Sequence, residues 1–188
     1  MNYDNHISEI SSRLSIKENF LSEKECDKLI ELFNNYESAM DRSTVYQNLG
    51  LNNDVGSYYS FEITEIKYPT LWKDIFKNKT YKGLEPIEVQ LNIYLPGNFI
   101  PPHVDKGSNI YTISVPLQTC KGNNLVFGNP QAYYDNIPIE ESNKMGMTKS
   151  FPDVKGFGYV FSGTTPIHWV PKVNTLRYSA VIMYGLRF

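Results

Sequence analysis

Residues 87–105 read IEVQLNIYLPGNFIPPHVD, and this stretch indicates a β-rich fold. Apolar side chains alternate with polar ones along its first half, which is the pattern of a strand with one buried face. Proline and glycine then end the strand, and two adjacent prolines stiffen the approach to His103 and Asp105. Because these two residues are two positions apart on extended backbone, their side chains point the same way. An imidazole and a carboxylate aimed at one point make part of a metal site.

Further short β-rich runs, separated by Pro, Gly and Asn, follow along the rest of the sequence. They occupy residues 109–119, 123–128, 156–163, 166–170 and 175–185. Nearer the start of the chain, residues 56–66 indicate another strand. The polar, glycine-punctuated residues 40–56 indicate a loop.

Two helices are predicted ahead of most of these strands. Residues 23–36 carry apolar side chains at positions i, i+3, i+4 and i+7, starting from Cys26, and this spacing gives one apolar stripe. Ser22 and Glu25 have the spacing of a capping box, and a second short helix begins at Pro69. Helices followed by half a dozen short strands predict a mainly β fold with flanking helices (α+β), in which the helices back one face of a sheet sandwich or barrel.

Composition narrows the class of protein. The 188 residues fit one domain, and 41% hydrophobic residues allow an ordinary core. No apolar run approaches the roughly 20 residues that span a bilayer, the N-terminus lacks the features of a signal peptide, and two cysteines cannot form a disulfide framework. We therefore expect a cytoplasmic protein without a membrane partner. A net charge of −2 disfavours a nucleic-acid partner.

Two segments of this single domain, residues 1–188, stand apart from the predicted elements. Residues 1–15 are polar and are expected to be a flexible tail. Residues 128–155 have no clear period, and a loop of that length inside a domain is usually functional, so we predict a substrate lid. Tyr133 and Tyr134 lie in this segment and are candidate substrate contacts, although they could equally be ordinary loop anchors.

A third metal ligand has to come from elsewhere in the chain. Of the two other histidines, His6 lies in the tail, and His168 ends a predicted strand. Two imidazoles and a carboxylate define the facial triad of non-haem Fe(II) oxygenases, which leaves coordination positions open for an α-keto acid and O2. The H-x-D spacing is a weak signal by itself, because an exposed histidine near a turn is the commoner case.

The last predicted strand adds a second feature. Arg177 and Ser179 share one face of a strand that is otherwise apolar. A buried guanidinium needs an anionic partner, because it cannot lose its proton. A dicarboxylate cosubstrate, held bidentately and assisted by the Ser179 hydroxyl, would supply one. One of the protein's own carboxylates, or a place at a sheet edge, would serve as well.

The motifs in their order resemble the iron(II)/2-oxoglutarate-dependent dioxygenases, and in particular the prolyl-4-hydroxylase-like branch of that superfamily. The resemblance covers most of residues 16–188. It rests on HVD at 103–105, HWVPKVNTLRYS at 168–179, ENFLSEKECDKLIELF at 18–33, YLPG at 94–97 and GFGYVFSG at 156–163. It implies a double-stranded β-helix, a jelly roll with helices backing one sheet.

The resemblance also implies roles for individual residues. His103, Asp105 and His168 would hold Fe(II), and Arg177 would pair with the C5 carboxylate of 2-oxoglutarate. Ser179 would lie next to that carboxylate, Tyr94 and Asn92 would contact the cosubstrate, and Gln90 would be a pocket residue. The implied reaction is hydroxylation of an unactivated C–H bond with O2, which yields succinate and CO2. Halogenating relatives carry a small residue where this chain has Asp105, so hydroxylation is favoured.

The substrate is much less constrained. One interpretation is a small molecule, a free amino acid or a peptide side chain. A second is a nucleic-acid demethylase of the alkylation-repair type, because residues 92–105 match its N-x-Y-x-x-G-x-x-I-x-x-H-x-D pattern. Met183, however, stands where those enzymes usually carry a second arginine. A third is a non-catalytic jelly-roll binding module, which the full ligand set disfavours. The sequence does not determine the oligomeric state.

Overall fold

Two antiparallel β-sheets form the body of the protein in a computed structural model that describes residues 14–36, 45–105, 109–162 and 166–186. The strands are β1 (Ser15–Lys17), β2 (Val45–Leu49), β3 (Val55–Ile63), β4 (Pro86–Tyr94), β5 (Ile100–His103), β6 (Tyr111–Pro116), β7 (Cys120–Gly128), β8 (Thr148–Asp153), β9 (Gly158–Ser162), β10 (His168–Val170) and β11 (Arg177–Tyr184). The helices are α1 (Glu23–Tyr36), α2 (Pro69–Leu71), continued by a π-helical turn (Trp72–Phe76), α3 (Gln131–Tyr134) and α4 (Ile139–Lys144).

The strands divide into a larger and a smaller sheet. Within the described residues the larger sheet has the order β1-β9-β6-β11-β4-β3-β2, and the smaller has the order β5-β10-β7-β8. One apolar cluster lies between the larger sheet and the helices, and a second, containing Tyr94, Phe127 and Phe161, draws its residues from both sheets. The predicted mainly β jelly roll with helices backing one sheet is confirmed. No helix in the described ranges is both long and apolar enough to cross a membrane.

Helix α1 has the bounds and the buried face that the sequence predicts. Its capping box forms: the Ser22 amide donates to Glu25 Oε2 at 2.7 Å, and the Glu25 amide donates to Ser22 Oγ at 3.3 Å. Cys26, Leu29 and Phe33 are buried in the cluster behind the larger sheet. Burial raises the pKa of the Cys26 thiol to about 11, which is the state of an inert packing residue.

The structure differs from the prediction in two segments. Part of the predicted loop at 40–56 is strand β2, which pairs with β3 and has the register Val45↔Tyr59 to Leu49↔Val55. The sequence gives this strand no alternating apolar pattern, so its pairing with β3 could not be predicted from it. Residues 128–155 contain α3, α4 and strand β8, which pairs with β7. This segment is therefore ordered structure, and its role as a lid stays a prediction. Of the predicted tail, residues 1–13 lie outside the described residues.

Strands β3 and β5 approach each other closely at Gly56. A Cβ added there would lie 2.5 Å from the Phe99 carbonyl oxygen and 2.6 Å from Pro101 Cδ. We expect Gly56→Ala to lower the free energy of unfolding by about 1–3 kcal/mol, because backbone atoms block the new methyl group. Urea unfolding of the two proteins measures the difference, and a loss below about 0.5 kcal/mol would contradict this close packing.

Candidate active site

Strands β5 and β10 bring together two histidines that are 65 residues apart in sequence (168 − 103). His103 and His168 are direct partners in the antiparallel register. Asp105 follows β5, and its Oδ1 lies 3.5 Å from His168 Nε2 and 3.9 Å from His103 Nε2. The ligand atoms of all three side chains lie within 4.8 Å of one another. The structure therefore brings the three predicted metal ligands to one point.

Backbone carbonyls orient both imidazoles. His103 Nδ1 lies 2.8 Å from the Pro101 carbonyl oxygen, and His168 Nδ1 lies 3.0 Å from the Pro166 carbonyl oxygen. Because a carbonyl oxygen only accepts, both Nδ1 atoms carry the hydrogen and donate. The Nε2 lone pair of a neutral ring is then left facing Asp105. Metal-binding histidines typically have this arrangement, in which an outer hydrogen bond fixes the tautomer.

The electrostatics of the three side chains suit a cation. Burial, followed by the neighbouring His168, lowers the pKa of His103 to about 4, so this ring is neutral at pH 7. Burial would raise the pKa of Asp105, but the interactions with His168 outweigh it and hold that pKa below its usual range. Burial would likewise lower the pKa of His168, and Asp105 reverses the shift. Asp105 thus stabilises positive charge at His168 Nε2.

Thr112 on β6 fixes the carboxylate from the other side. Its hydroxyl donates to Asp105 Oδ2 at 3.0 Å, which leaves Oδ1 for the two histidines. Sequence reasoning missed Thr112. Thr112 lies on β6, in the larger sheet. Its contact with Asp105 depends on how that sheet packs against the end of β5, which the sequence does not show.

Arg177 pairs with a carboxylate of the protein, which is one of the alternatives that the sequence left open. Its Nε donates to Asp153 Oδ2 at 2.7 Å, and its Nη2 donates to Asp153 Oδ1 at 3.1 Å. Both residues are about 1% exposed. Burial would lower the pKa of Arg177, but Asp153 outweighs it and keeps that pKa above its usual value. The remaining Nη1 donates to Ser179 Oγ at 3.3 Å.

The Tyr94 ring packs against the guanidinium of Arg177. The guanidinium carbon of Arg177 lies 4.8 Å from the centre of the Tyr94 ring, in a cation–π contact. Burial raises the pKa of Tyr94 to about 12, so its hydroxyl is protonated. Tyr94 and Arg177 are direct partners in the β4–β11 register, as are Asn92 and Ser179. Adjacent strands thus place the four predicted cosubstrate residues in two neighbouring pairs.

One cavity of about 250 Å³ connects these groups. It is lined by all three members of the triad and by Arg177 and Ser179. The other predicted residues on its wall are Gln90, Asn92 and Tyr94. The Oδ1 atom of Asn92 is buried and has no hydrogen-bond partner among the described residues, so it is available to a donor in the cavity.

Two predicted substrate residues lie elsewhere. Tyr133 and Tyr134 belong to α3, and they line a second cavity that shares no lining residue with the first. The structure also shows a contributor that sequence reasoning missed, Asp153 at the end of β8. The spacing of residues in the sequence does not identify Asp153 as part of the site, because its partner Arg177 is 24 residues away and belongs to the other sheet.

Comparison with solved structures identifies the fold. No protein-family model matches the sequence, and no curated protein matches it. Among solved structures, a Pseudomonas putida prolyl-4-hydroxylase has a TM-score of 0.59 at 15% identity, covering 97% of both chains. An oxidoreductase of the 2OG-Fe(II) oxygenase family from Burkholderia pseudomallei has a TM-score of 0.54 at 14% identity, covering 97% of this chain and 89% of the other. The chain has the 2-oxoglutarate/Fe(II) oxygenase fold.

A third structure with the oxygenase fold contains small molecules. EctD from S. alaskensis, with 2-oxoglutarate and 5-hydroxyectoine, has a TM-score of 0.62 at 13% identity, covering 92% of this chain and 72% of the other. The double-stranded β-helix predicted from the sequence is confirmed, and so is the structural resemblance to the prolyl-4-hydroxylase-like branch. The His-Asp-His triad is present on this fold.

Proposed function

We propose that the protein is an Fe(II)- and 2-oxoglutarate-dependent dioxygenase. In this proposal residues 1–188 form one catalytic domain, which hydroxylates an unactivated C–H bond and produces succinate and CO2. The observation that carries the proposal is the shared cavity: three convergent metal-ligand side chains and a buried arginine line the same 250 Å³ space. Neither the triad nor the buried arginine identifies the function by itself, because clusters of ionisable side chains also occur as purely structural ion pairs.

The donor set fits ferrous iron. Two imidazoles and one carboxylate are the ligands of the facial-triad Fe(II) oxygenases, and the carboxylate offsets one of the two positive charges. The ligand atoms of His103, Asp105 and His168 lie within 4.8 Å of one another and line the same cavity, so these three side chains would hold the ion. When bound, iron would supply the activation of O2 and the oxidative decarboxylation of the cosubstrate.

The protein's own groups would orient 2-oxoglutarate. Arg177 Nη1 and the Ser179 hydroxyl would bind its C5 carboxylate, because Asp153 already occupies the other two guanidinium positions. Tyr94 and Asn92 would contact the cosubstrate from the adjacent strand. Gln90 lies two positions beyond Asn92 on β4 and would contact the substrate.

The substrate class is a small molecule, an amino acid or a peptide side chain. Structures with the same fold support this range: one is a Trichoplax adhaerens prolyl hydroxylase in complex with a peptide fragment of hypoxia inducible factor, and EctD contains 5-hydroxyectoine. O2 is the second cosubstrate.

Succinate formation is the direct test. Purified protein is incubated with Fe(II), 2-oxoglutarate and O2, first alone and then with amino acids, peptides and methylated oligonucleotides. We expect succinate to form, and one of the first two substrate groups to stimulate it. Stimulation by methylated oligonucleotides alone would favour a demethylase. Failure of the protein to bind Fe(II) or 2-oxoglutarate would favour a non-catalytic module.

Arg177→Lys tests the cosubstrate site. A lysine ammonium keeps the charge, but it cannot serve both Asp153 and a cosubstrate carboxylate with a fork of planar donors. We expect the KM for 2-oxoglutarate to rise at least about 10-fold, in line with the loss of one charge-assisted hydrogen bond. Ser179→Ala is the milder companion, since it removes only a neutral hydroxyl. An unchanged KM for Arg177→Lys would place 2-oxoglutarate elsewhere.

Thr112→Val tests the orientation of Asp105. Valine keeps the shape of threonine and removes the hydroxyl that donates to Asp105 Oδ2. Loss of such an outer hydrogen bond typically weakens metal binding about 10–100-fold. We expect this loss in anaerobic Fe(II) titrations, with the fold retained. Equal affinities would mean that Thr112 does not hold the carboxylate.

A further inference from the structure

Strand β4 carries a row of polar side chains along the wall of the active-site cavity. Tyr94, Asn92 and Gln90 alternate with apolar residues and line the cavity, and Glu88 continues the same face of the strand. The register of the larger sheet places Glu88 opposite Met183 on β11, which also lines the cavity. Glu88 therefore lies beside the cavity, at the opposite end of this row from Tyr94.

Glu88 fixes the orientation of the Gln90 amide. Gln90 Nε2 donates to Glu88 Oε1 at 3.0 Å. Because a carboxylate can only accept, the amide nitrogen must face Glu88, and the amide oxygen, Gln90 Oε1, is left for other contacts. No residue in the described ranges donates to that oxygen. Asn92 Oδ1 is a second such acceptor, which is buried and unpartnered among the described residues. Two amide oxygens of β4 thus lack a donor.

2-Oxoglutarate cannot satisfy these oxygens. Its two carboxylates and its keto group accept hydrogen bonds and donate none. Water can donate in the empty cavity, but a ligand that displaces such a water loses affinity unless it donates as well. The donor therefore has to come from the other molecule that the cavity takes, which is the substrate.

The charges around the loaded cavity leave one negative charge without a partner. Arg177 and Asp153 neutralise each other through two hydrogen bonds. The two positive charges of Fe(II) match the two carboxylates of 2-oxoglutarate. Asp105 then remains, and its side chain is only 20% exposed. An uncompensated charge away from water is unfavourable, so a positively charged substrate would stabilise the filled site.

Glu88 adds a second negative charge on the β4 side. The nearby Lys67 pairs with Glu62 at 2.7 Å, and no basic side chain in the part of the chain that the structure describes forms an ion pair with Glu88. A cation in the cavity would therefore be attracted to Glu88 as well as to the metal centre.

The sheet register relates the two acids to each other. Met183 on β11 lies between Glu88 on β4 and Thr112 on β6, and Thr112 donates to Asp105. Since neighbouring strands are about 4.8 Å apart, Thr112 and Glu88 are about 10 Å apart across the sheet. Asp105 and Glu88 therefore lie on opposite sides of Met183, which lines the cavity between them.

We propose that the substrate carries an ammonium or guanidinium group, which donates hydrogen bonds to Gln90 Oε1 and Asn92 Oδ1 and offsets the charges of Asp105 and Glu88. Gln90 and Asn92 contact the substrate, and Glu88 is a positioning residue that acts through the Gln90 amide. The Asn92 nitrogen remains for the cosubstrate side of the cavity. The inference rests on the proposed function, because it requires Fe(II) and 2-oxoglutarate in the site.

Calorimetric titration without O2 measures binding in the absence of turnover. Protein loaded with Fe(II) and 2-oxoglutarate is titrated with n-pentylamine, n-pentylguanidine and an N-acetylated, C-amidated Ala-Lys-Ala peptide. The controls are n-pentanol, n-pentanoate and n-pentyltrimethylammonium, which keeps the charge but has no N–H donor. We expect the amine and the guanidine to bind at least about 10-fold more tightly than each control, because charge-assisted hydrogen bonds are the strong ones. Tighter binding of the peptide than of pentylamine would identify a polypeptide side chain as the source of the cation, and the reverse order would identify a free small molecule.

Gln90→Met and Glu88→Gln separate the hydrogen bond from the charge. Gln90→Met keeps the length of the side chain and removes its amide oxygen, so we expect pentylamine to bind about 10-fold more weakly. Glu88→Gln keeps an acceptor for Gln90 Nε2 and removes only the charge, so we expect a smaller loss and a weaker dependence of pentylamine binding on salt than in the wild-type protein. Glu85→Gln is the matched control, because Glu85 is an exposed acid ahead of β4 and outside the cavity.

Two kinds of failure are distinguishable in these titrations. If 2-oxoglutarate binds but neither cation binds saturably, or if pentanol, the quaternary cation or Gln90→Met shows equal affinity, the inference about the substrate is overturned and the proposed function is not. If 2-oxoglutarate itself fails to bind in the presence of Fe(II), the proposed function is overturned, and the inference with it.

Discussion

Replacing His103 by alanine is expected to abolish Fe(II)-dependent formation of succinate from 2-oxoglutarate, with a loss of at least about 100-fold. Loss of an outer hydrogen bond alone typically costs about 10–100-fold, and this change removes a ligand itself. His103 Nε2 faces Asp105 Oδ1, while its Nδ1 is committed to Pro101. No other imidazole in the described residues is near enough to replace it.

Binding and folding are measured beside turnover. Anaerobic Fe(II) titration should show loss of the tight site, and thermal unfolding of the metal-free protein should change little, because burial already makes a charged His103 unfavourable. His6→Ala is the matched control, since it changes a histidine outside the triad. Normal succinate formation by His103→Ala would remove the metal assignment.

Replacing Asp153 by asparagine is expected to lower the free energy of unfolding by about 3–5 kcal/mol, because it leaves a buried guanidinium without its counter-charge. Arg177 and Asp153 are both almost fully buried and joined by two hydrogen bonds. Ser179 supplies only a neutral acceptor, which does not replace the lost negative charge.

Urea unfolding with and without 2-oxoglutarate gives this prediction a second readout. If the cosubstrate carboxylate binds at Arg177, it restores a negative charge, so 2-oxoglutarate should raise the unfolding midpoint of Asp153→Asn more than that of the wild-type protein. Asp74→Asn is the control, because it breaks the exposed Lys28–Asp74 pair, whose loss is expected to change the free energy of unfolding far less. A similarly small loss for Asp153→Asn would show that the buried pair is dispensable.

Local patterns in the sequence predicted the parts of the site that lie on single strands. The H-V-D spacing put His103 and Asp105 on one side of the chain, and alternation put Arg177 and Ser179 on one face of β11. The apolar stripe of α1 and its capping box were likewise local and were found as predicted. Such features need only the period of the element that carries them.

Contacts between different strands and helices could not be predicted from the spacing of residues in the sequence. The partner of Arg177 depends on how β8 packs against β11, and the sequence left an internal carboxylate and a cosubstrate equally open. Strand β2 was missed because residues 45–49 have no alternating apolar pattern, and only their pairing with β3 shows the strand. Tyr133 and Tyr134 were predicted as substrate contacts from their place in a long unpatterned segment, and the structure places them on α3, where they line the second cavity.

The register between β5 and β10 has a consequence for how the protein opens. These strands have four and three residues, and His103 faces His168 across them. Strands this short do not pair stably by themselves. An ion bound by both imidazoles would therefore stabilise the contact between two chain segments that are 65 positions apart (168 − 103). Amide hydrogen exchange at Trp169 and Val170 should then slow more on metal loading than exchange in the long central strands, because the ion stabilises a short strand pair that has few backbone hydrogen bonds of its own.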